Sequence, residues 1–147
     1  MKNIKHLILF LVGFCSYITI EVLFRGYSFS LCGLMGAIDF ILIGMLNDKI
    51  SWHMDLTLQC LIGSGIVTLS ELIIGTLDKY LLHMNMWDYS NLPFNFNGVI
   101  CLQFSIAWIF ISCIAIMVDD AIKYYVFDEE PQPHYHIGRF IFKFKKR

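Results

Sequence analysis

The sequence predicts an all-α integral membrane bundle of about four transmembrane helices with a cytoplasmic tail. Three observations predict it. Of 147 residues, 57% are hydrophobic and only 16% charged, where soluble domains carry about 45–50% and about 25%. The mean hydropathy is +0.63. The apolar residues are gathered into long runs instead of being scattered. A soluble protein of this size has too little interior to hide them. That hydropathy together with a formal net charge of only −1 excludes a basic nucleic-acid binder, an acidic tail protein and a disordered chain.

The helices are expected at about residues 4–24, 31–46, 56–77 and 98–118, with 119–147 as the tail. A bilayer core needs about 20 apolar residues in a helix. The runs Leu56–Leu77 and Gly98–Val118 meet that length alone, and Leu7–Leu23 meets it when started near Ile4. Leu31–Leu46 is short and contains Asp39, so a re-entrant segment or local thinning of the bilayer is also open. Each run is apolar all around the helix, with Gly, Ser, Thr and Cys interspersed as helix packing in lipid requires. Lys2 and Lys5 before the first run resemble a signal peptide. The run ends in Glu21 and Arg25 without a small-residue cleavage site, so it is read as a retained helix.

Lys and Arg placement predicts orientation. Of eleven such residues, only Arg25 and Lys79 fall on one side; the other nine lie at the termini, at Lys49 and in the tail. The positive-inside rule places both termini in the cytoplasm of a multi-pass protein of the plasma membrane.

Five cysteines (Cys15, Cys32, Cys60, Cys101, Cys113) lie in or beside apolar runs, without a CxxC pair, and read as small buried hydrophobes. His134 and His136 form an HxH that lacks further clear ligands. No phosphate-binding glycine loop and no nucleophile elbow occurs. Gly63-Ser64-Gly65 reads as a helix-packing contact. The expectation is therefore a non-enzyme without cofactor or metal.

Ionisable residues at membrane depth nominate a site, because lipid penalises them unless they face a partner, water or the bundle interior. Glu21 closes the first helix, and Arg25 follows at the favourable i,i+4 spacing. Glu71 lies two-thirds along the third helix. Arg25 can pair with Glu21 or reach across to Glu71. Two readings stay open: an ion-pair staple, or a polar pocket opening outward. For Asp39 the plain reading is a short helix that lets it reach water.

The segment Trp87-Asp88-Tyr89-Ser90-Asn91-Leu92-Pro93-Phe94-Asn95-Phe96-Asn97-Gly98 reads as an ordered cap. Its aromatics suit the membrane interface. Asp88 and Ser90 can bond nearby backbone, Pro93 halts any helix, and Asn97-Gly98 is a turn dipeptide. The cap should lie over Glu21, Arg25 and Glu71. Candidate ligand-binding residues are Glu71, Glu21, Arg25, Trp87, Asp88, Tyr89, Asn95 and Asn97; an aromatic anchor without ligand is the alternative.

The run Glu71-Leu72-Ile73-Ile74-Gly75, then Trp87-Asp88-Tyr89-Ser90, then Pro93-Phe94-Asn95-x-Asn97-Gly98-x-Ile100-Cys101-Leu102, with Ser105 and Trp108 beyond, resembles the family of putative ABC-transporter type IV permeases. Glu21 and Arg25-Gly26 are similar to that family's helix-one motif. Where the family commonly continues with aromatic-Gly-Pro, this chain has Tyr27-Ser28-Phe29-Ser30. The resemblance implies a permease subunit, with an ATPase supplied in trans and a homo-oligomer or complex completing the pathway. It brings no substrate and no catalytic residue.

The tail is acidic from Asp119 to Glu130 and basic-aromatic from His134. Alternating Phe140, Phe142 and Phe144 suit an edge strand or extended segment, and basic residues near a membrane suit anionic lipid. A solvated, disordered tail is the other reading; nucleic acid is not the expected partner. Besides the permease, a non-transport assembly, regulatory or lipid-interacting protein fits the sequence. A membrane enzyme using Glu71 and Asp88 is a thinner third reading.

Overall fold

The computed structural model describes residues 2–146. Met1 and Arg147, the latter counted above among the basic residues of the tail, lie outside them. Four helices form the body: α1 (Lys2–Arg25), α2 (Ser30–Lys49), α3 (Leu56–Leu77) and α4 (Leu102–Ala121). All four are long and apolar enough to cross a membrane. Single π-helical turns extend α3 through Asp78–Leu82 and α4 through Ile122–Val126. A two-residue pair, β1 (Asn95–Phe96) with β2 (Ile100–Cys101), stands before α4. A second antiparallel hairpin, β3 (His134–Ile137) with β4 (Phe140–Lys143), follows it.

The outward positions of the helices are apolar: Leu11, Leu61, Leu69, Ile73, Phe110 and Ile114 are all about half exposed or more. That is the inverse of a soluble bundle and the arrangement lipid requires. The interior mixes apolar residues such as Met35, Ile43, Val67 and Ile116 with buried carboxylates. Helix α1 packs chiefly on α2, α4 packs on α3, and α2 also meets α3 and α4.

Helix α2 corrects the short run 31–46. It runs over Ser30–Lys49 and is the most enclosed of the four. Its polar end stays helical because long-range partners satisfy it: Asn47 Nδ2 donates to Asp120 Oδ2 at 2.7 Å, and Asp48 pairs with Lys123 at 2.7 Å. Asp39 therefore does not reach water. It is 3% exposed and accepts from Ser70 Oγ at 2.6 Å. Helix α4 starts at Leu102, not Gly98, because Ile100 and Cys101 pair with β1. Short apolar runs suit strands as well as helices.

Asp119 and Asp120 belong to α4 and are buried at 1% and 2%, which corrects their assignment to the tail. Lys123 Nζ lies 2.6 Å from Asp119 and donates to the Gly44 carbonyl at 2.9 Å. A Cβ at Gly44 would collide with the Asp119 carboxylate, so α2 and α4 approach this closely only with glycine there. The tail hairpin covers this cluster. Tyr135, fully buried, donates its hydroxyl to Asp120 at 2.8 Å. Burial, then the Asp120 carboxylate, pushes that phenol well above its ordinary range. The carboxylate of Asp55 caps α3 through the Thr57 amide at 2.8 Å and accepts from the Gly138 amide at 2.7 Å.

Lys5 Nζ reaches Glu129 at 2.5 Å, so the start of α1 and the tail share one end of the bundle with the α2–α3 turn. Arg25 bonds the Met86 carbonyl, which sets the α3–α4 loop at the opposite end.

Candidate functional site

The loop end is built outward from a buried carboxylate. Glu71, on α3, is 1% exposed. Its two oxygens accept from different elements: Oε1 from the Tyr89 hydroxyl of the loop at 3.3 Å, Oε2 from Trp108 Nε1 of α4 at 3.1 Å. Both donors are themselves braced by aromatics. Tyr89 stacks on Phe104 at 4.7 Å between centroids, and Trp108 on Tyr17 of α1 at 5.6 Å. Burial, then the adjacent Glu71, raises the Tyr89 phenol well above its usual range, so the contact is a neutral donor meeting a carboxyl group.

Asp78 fixes the entry to the loop. Its two oxygens take the backbone amides of Met84 and Met86, each at 2.7 Å. A carboxylate at a helix C-terminus opposes the helix dipole, which was the available sequence signal that this side chain has another role. Trp87 Nε1 then donates to the Val99 carbonyl at 2.8 Å, and the Tyr89 amide to Gly98 O at 2.8 Å. Asp88 Oδ1 takes the Ser90 amide at 2.8 Å and its hydroxyl at 2.5 Å. Those Ser90 bonds, hydroxyl first, hold the Asp88 carboxyl below the ordinary carboxylate range. Asn95 donates to the Leu92 carbonyl at 2.7 Å and accepts from the Gly98 amide at 3.0 Å. Gly98 has φ +71°, and a Cβ there would strike the Ser90 hydroxyl.

The nominated residues thus fall into separate groups. Arg25, Trp87, Asp88 and Tyr89 border an open depression of about 630 Å³ with Phe24 and Phe104. Trp87, Asp88 and Asn97 share a smaller notch of about 140 Å³ with Asp78 and Lys79. There Lys79 Nζ donates to Asn97 at 2.7 Å on the carbonyl and 3.1 Å on the side chain. Glu71 lines neither space and lies beneath Tyr89. Arg25 pairs with Glu21 at 2.7 Å, not with Glu71, and lies 4.8 Å over the Tyr27 ring. Glu21 also receives the Ser28 hydroxyl. Asn95 is turned into the loop's own backbone. Sequence reasoning missed Asp78 and Ser28.

Chemically, this end can present aromatic faces, a guanidinium and a carboxylate to a solute, above a buried carboxyl group that the loop covers. Among the described residues, no group of three or more His, Cys, Asp or Glu could hold a metal ion.

A family model described as putative ABC-transporter type IV matches residues 8–142. No curated protein and no solved structure matches the chain. The family match takes in most of α1, all of α2, α3 and α4, the Tyr89–Glu71 cap and most of the tail hairpin, and this multi-pass membrane chain belongs to the putative ABC-transporter type IV family.

Proposed function

We propose that the chain is a permease-type subunit of a transport complex, with the loop end facing outward and both termini in the cytoplasm of the plasma membrane. Family membership supports the membrane role. The observation that carries the rest is the burial of Glu71 under Tyr89. An ionisable group at membrane depth is costly, and a loop that covers it is a ready two-state cover. A solute in the 630 Å³ depression would touch the outer face of Tyr89, and turning that ring aside would open Glu71. The nine Lys and Arg assigned to one side support the orientation. Four helices form a thin pathway, so the subunit works as a homo-oligomer or with other membrane chains. ATP hydrolysis comes from a partner ATPase, since this chain has no phosphate-binding glycine loop; no enzymatic step is assigned to it.

One observation favours a second reading. Asp88 and Asn95 engage neighbours within the loop, as an assembly or regulatory factor with a rigid docking cap would require. Isolation of the intact complex in mild detergent separates the two. The permease reading expects a co-purifying ATPase whose ATP turnover falls with Glu71→Gln at unchanged abundance of the chain. A non-ATPase partner, with Glu71→Gln lowering abundance alone, contradicts it.

A further inference from the structure

A separate cavity, of about 560 Å³, lies where the four helices meet. Its wall is apolar, with Phe40 and Ile43 from α2, Val67 from α3 and Ile111 from α4, and its rim is formed by exposed residues of α1 and α4. It therefore opens sideways toward lipid. Glu71 and the capping loop are not part of its lining.

Besides Ser16 and Thr19 at the rim, two buried polar side chains with an unpartnered oxygen interrupt that wall. Asp39 is 3% exposed, and Ser70 satisfies its Oδ1 at 2.6 Å; its Oδ2 has no hydrogen-bond partner among the described residues. Ser112, 1% exposed, also has an unpartnered hydroxyl. Both residues line this cavity, and no Lys, Arg or His does. A buried carboxylate is an acceptor without counter-charge, and hydrocarbon tolerates it only with a proton or a cation beside it. Tyr17 and Trp108, stacked on one another, belong to the same lining. The volume lies within the range of small-molecule sites, about 300–1,000 Å³.

We propose that this cavity binds a hydrophobic primary amine, a turn of the Asp39 and Ser112 side chains bringing Oδ2 and Oγ from just behind the wall to accept from its ammonium group, with its apolar body filling the gap between α1 and α4. The charge at Asp39 sets the ligand class: an alcohol of the same skeleton supplies a donor but no counter-charge. Binding at this site does not rest on the permease reading, since it occurs in the purified chain without an ATPase.

The test uses the full chain in lipid nanodiscs, with dodecylamine as probe and dodecanol as control. Quenching of tryptophan emission follows occupancy, because Trp108 lines the cavity. The wild-type chain is expected to bind the amine about tenfold tighter than the alcohol, as a charge-assisted hydrogen bond requires. Asp39→Asn removes that preference and leaves dodecanol binding unchanged. Equal affinities for the two probes, or an amine affinity that survives Asp39→Asn, overturns the proposal. A measurement on the wild-type chain decides the matter if the variant does not fold. A hydrophobic carbodiimide is expected to label Asp39, and dodecylamine, but not dodecanol, to slow that labelling. An unreactive Asp39, as when a second copy seals the gap, or labelling that the amine leaves unchanged, contradicts an amine site.

Discussion

Tyr89, in the loop, donates its hydroxyl to Glu71, eighteen residues earlier on α3, at 3.3 Å. One bond thus joins the capping loop to a buried carboxyl group. Removal of the acceptor leaves two donors stranded, the Tyr89 hydroxyl and Trp108 Nε1. An unsatisfied buried polar group costs about 1–3 kcal/mol. Glu71→Ala should therefore lower the thermal unfolding midpoint in detergent well beyond Glu71→Gln, which keeps an acceptor and the volume. Equal midpoints for the two variants would show that neither donor depends on this side chain.

Asp78 anchors the loop through two backbone amides, those of Met84 and Met86. Asp78→Ala removes both acceptors and should raise hydrogen exchange across residues 84–98 by about tenfold or more, since each bond to a charged group contributes about 1.5–3 kcal/mol. The tail hairpin at the other end should keep its protection. Unchanged exchange in the loop would place its anchor elsewhere.

Orientation has its own check. Asn91 is exposed at the loop end, so Asn91→Cys, made without the exposed native Cys15, should react with a membrane-impermeant maleimide on intact cells. Reaction only after permeabilisation would invert the assignment of both termini.

The tail hairpin carries a pH signature. The Gly138 amide, then Thr57, holds the Asp55 carboxyl below its usual 3.8. A group whose folded value is depressed stabilises above its unfolded value and loses that effect as pH falls through the folded one. The difference in Gly138 amide protection between wild type and Asp55→Asn should stay constant above about pH 5. It should shrink as pH drops below 3.8. A difference that vanishes near neutrality would assign the docking to another group.

The four helices were legible because their runs are apolar on every side, which only lipid or a deep core permits. The capping loop was legible from Trp87, Pro93 and Asn97-Gly98, residues whose interface preference and turn chemistry act locally. Asp119 and Asp120 were not. Next to an acidic stretch they read as tail, while their burial depends on Lys123, Asn47 and Tyr135; Asn47 lies 73 residues from Asp120. Periodicity carries no information on such partners. For the same reason Asp39 was assigned to water: its shielding comes from the packing of α2 among the other helices.

The most direct test of the account is a double-mutant cycle on the cap, with Tyr89→Phe, Glu71→Leu and their combination followed by thermal unfolding of the purified chain. Contacting residues typically couple by about 0.5–3 kcal/mol. The double variant is predicted to lose about 1 kcal/mol less than the two single losses together. Losses that add to within about 0.3 kcal/mol would contradict a cap held on Glu71 by Tyr89.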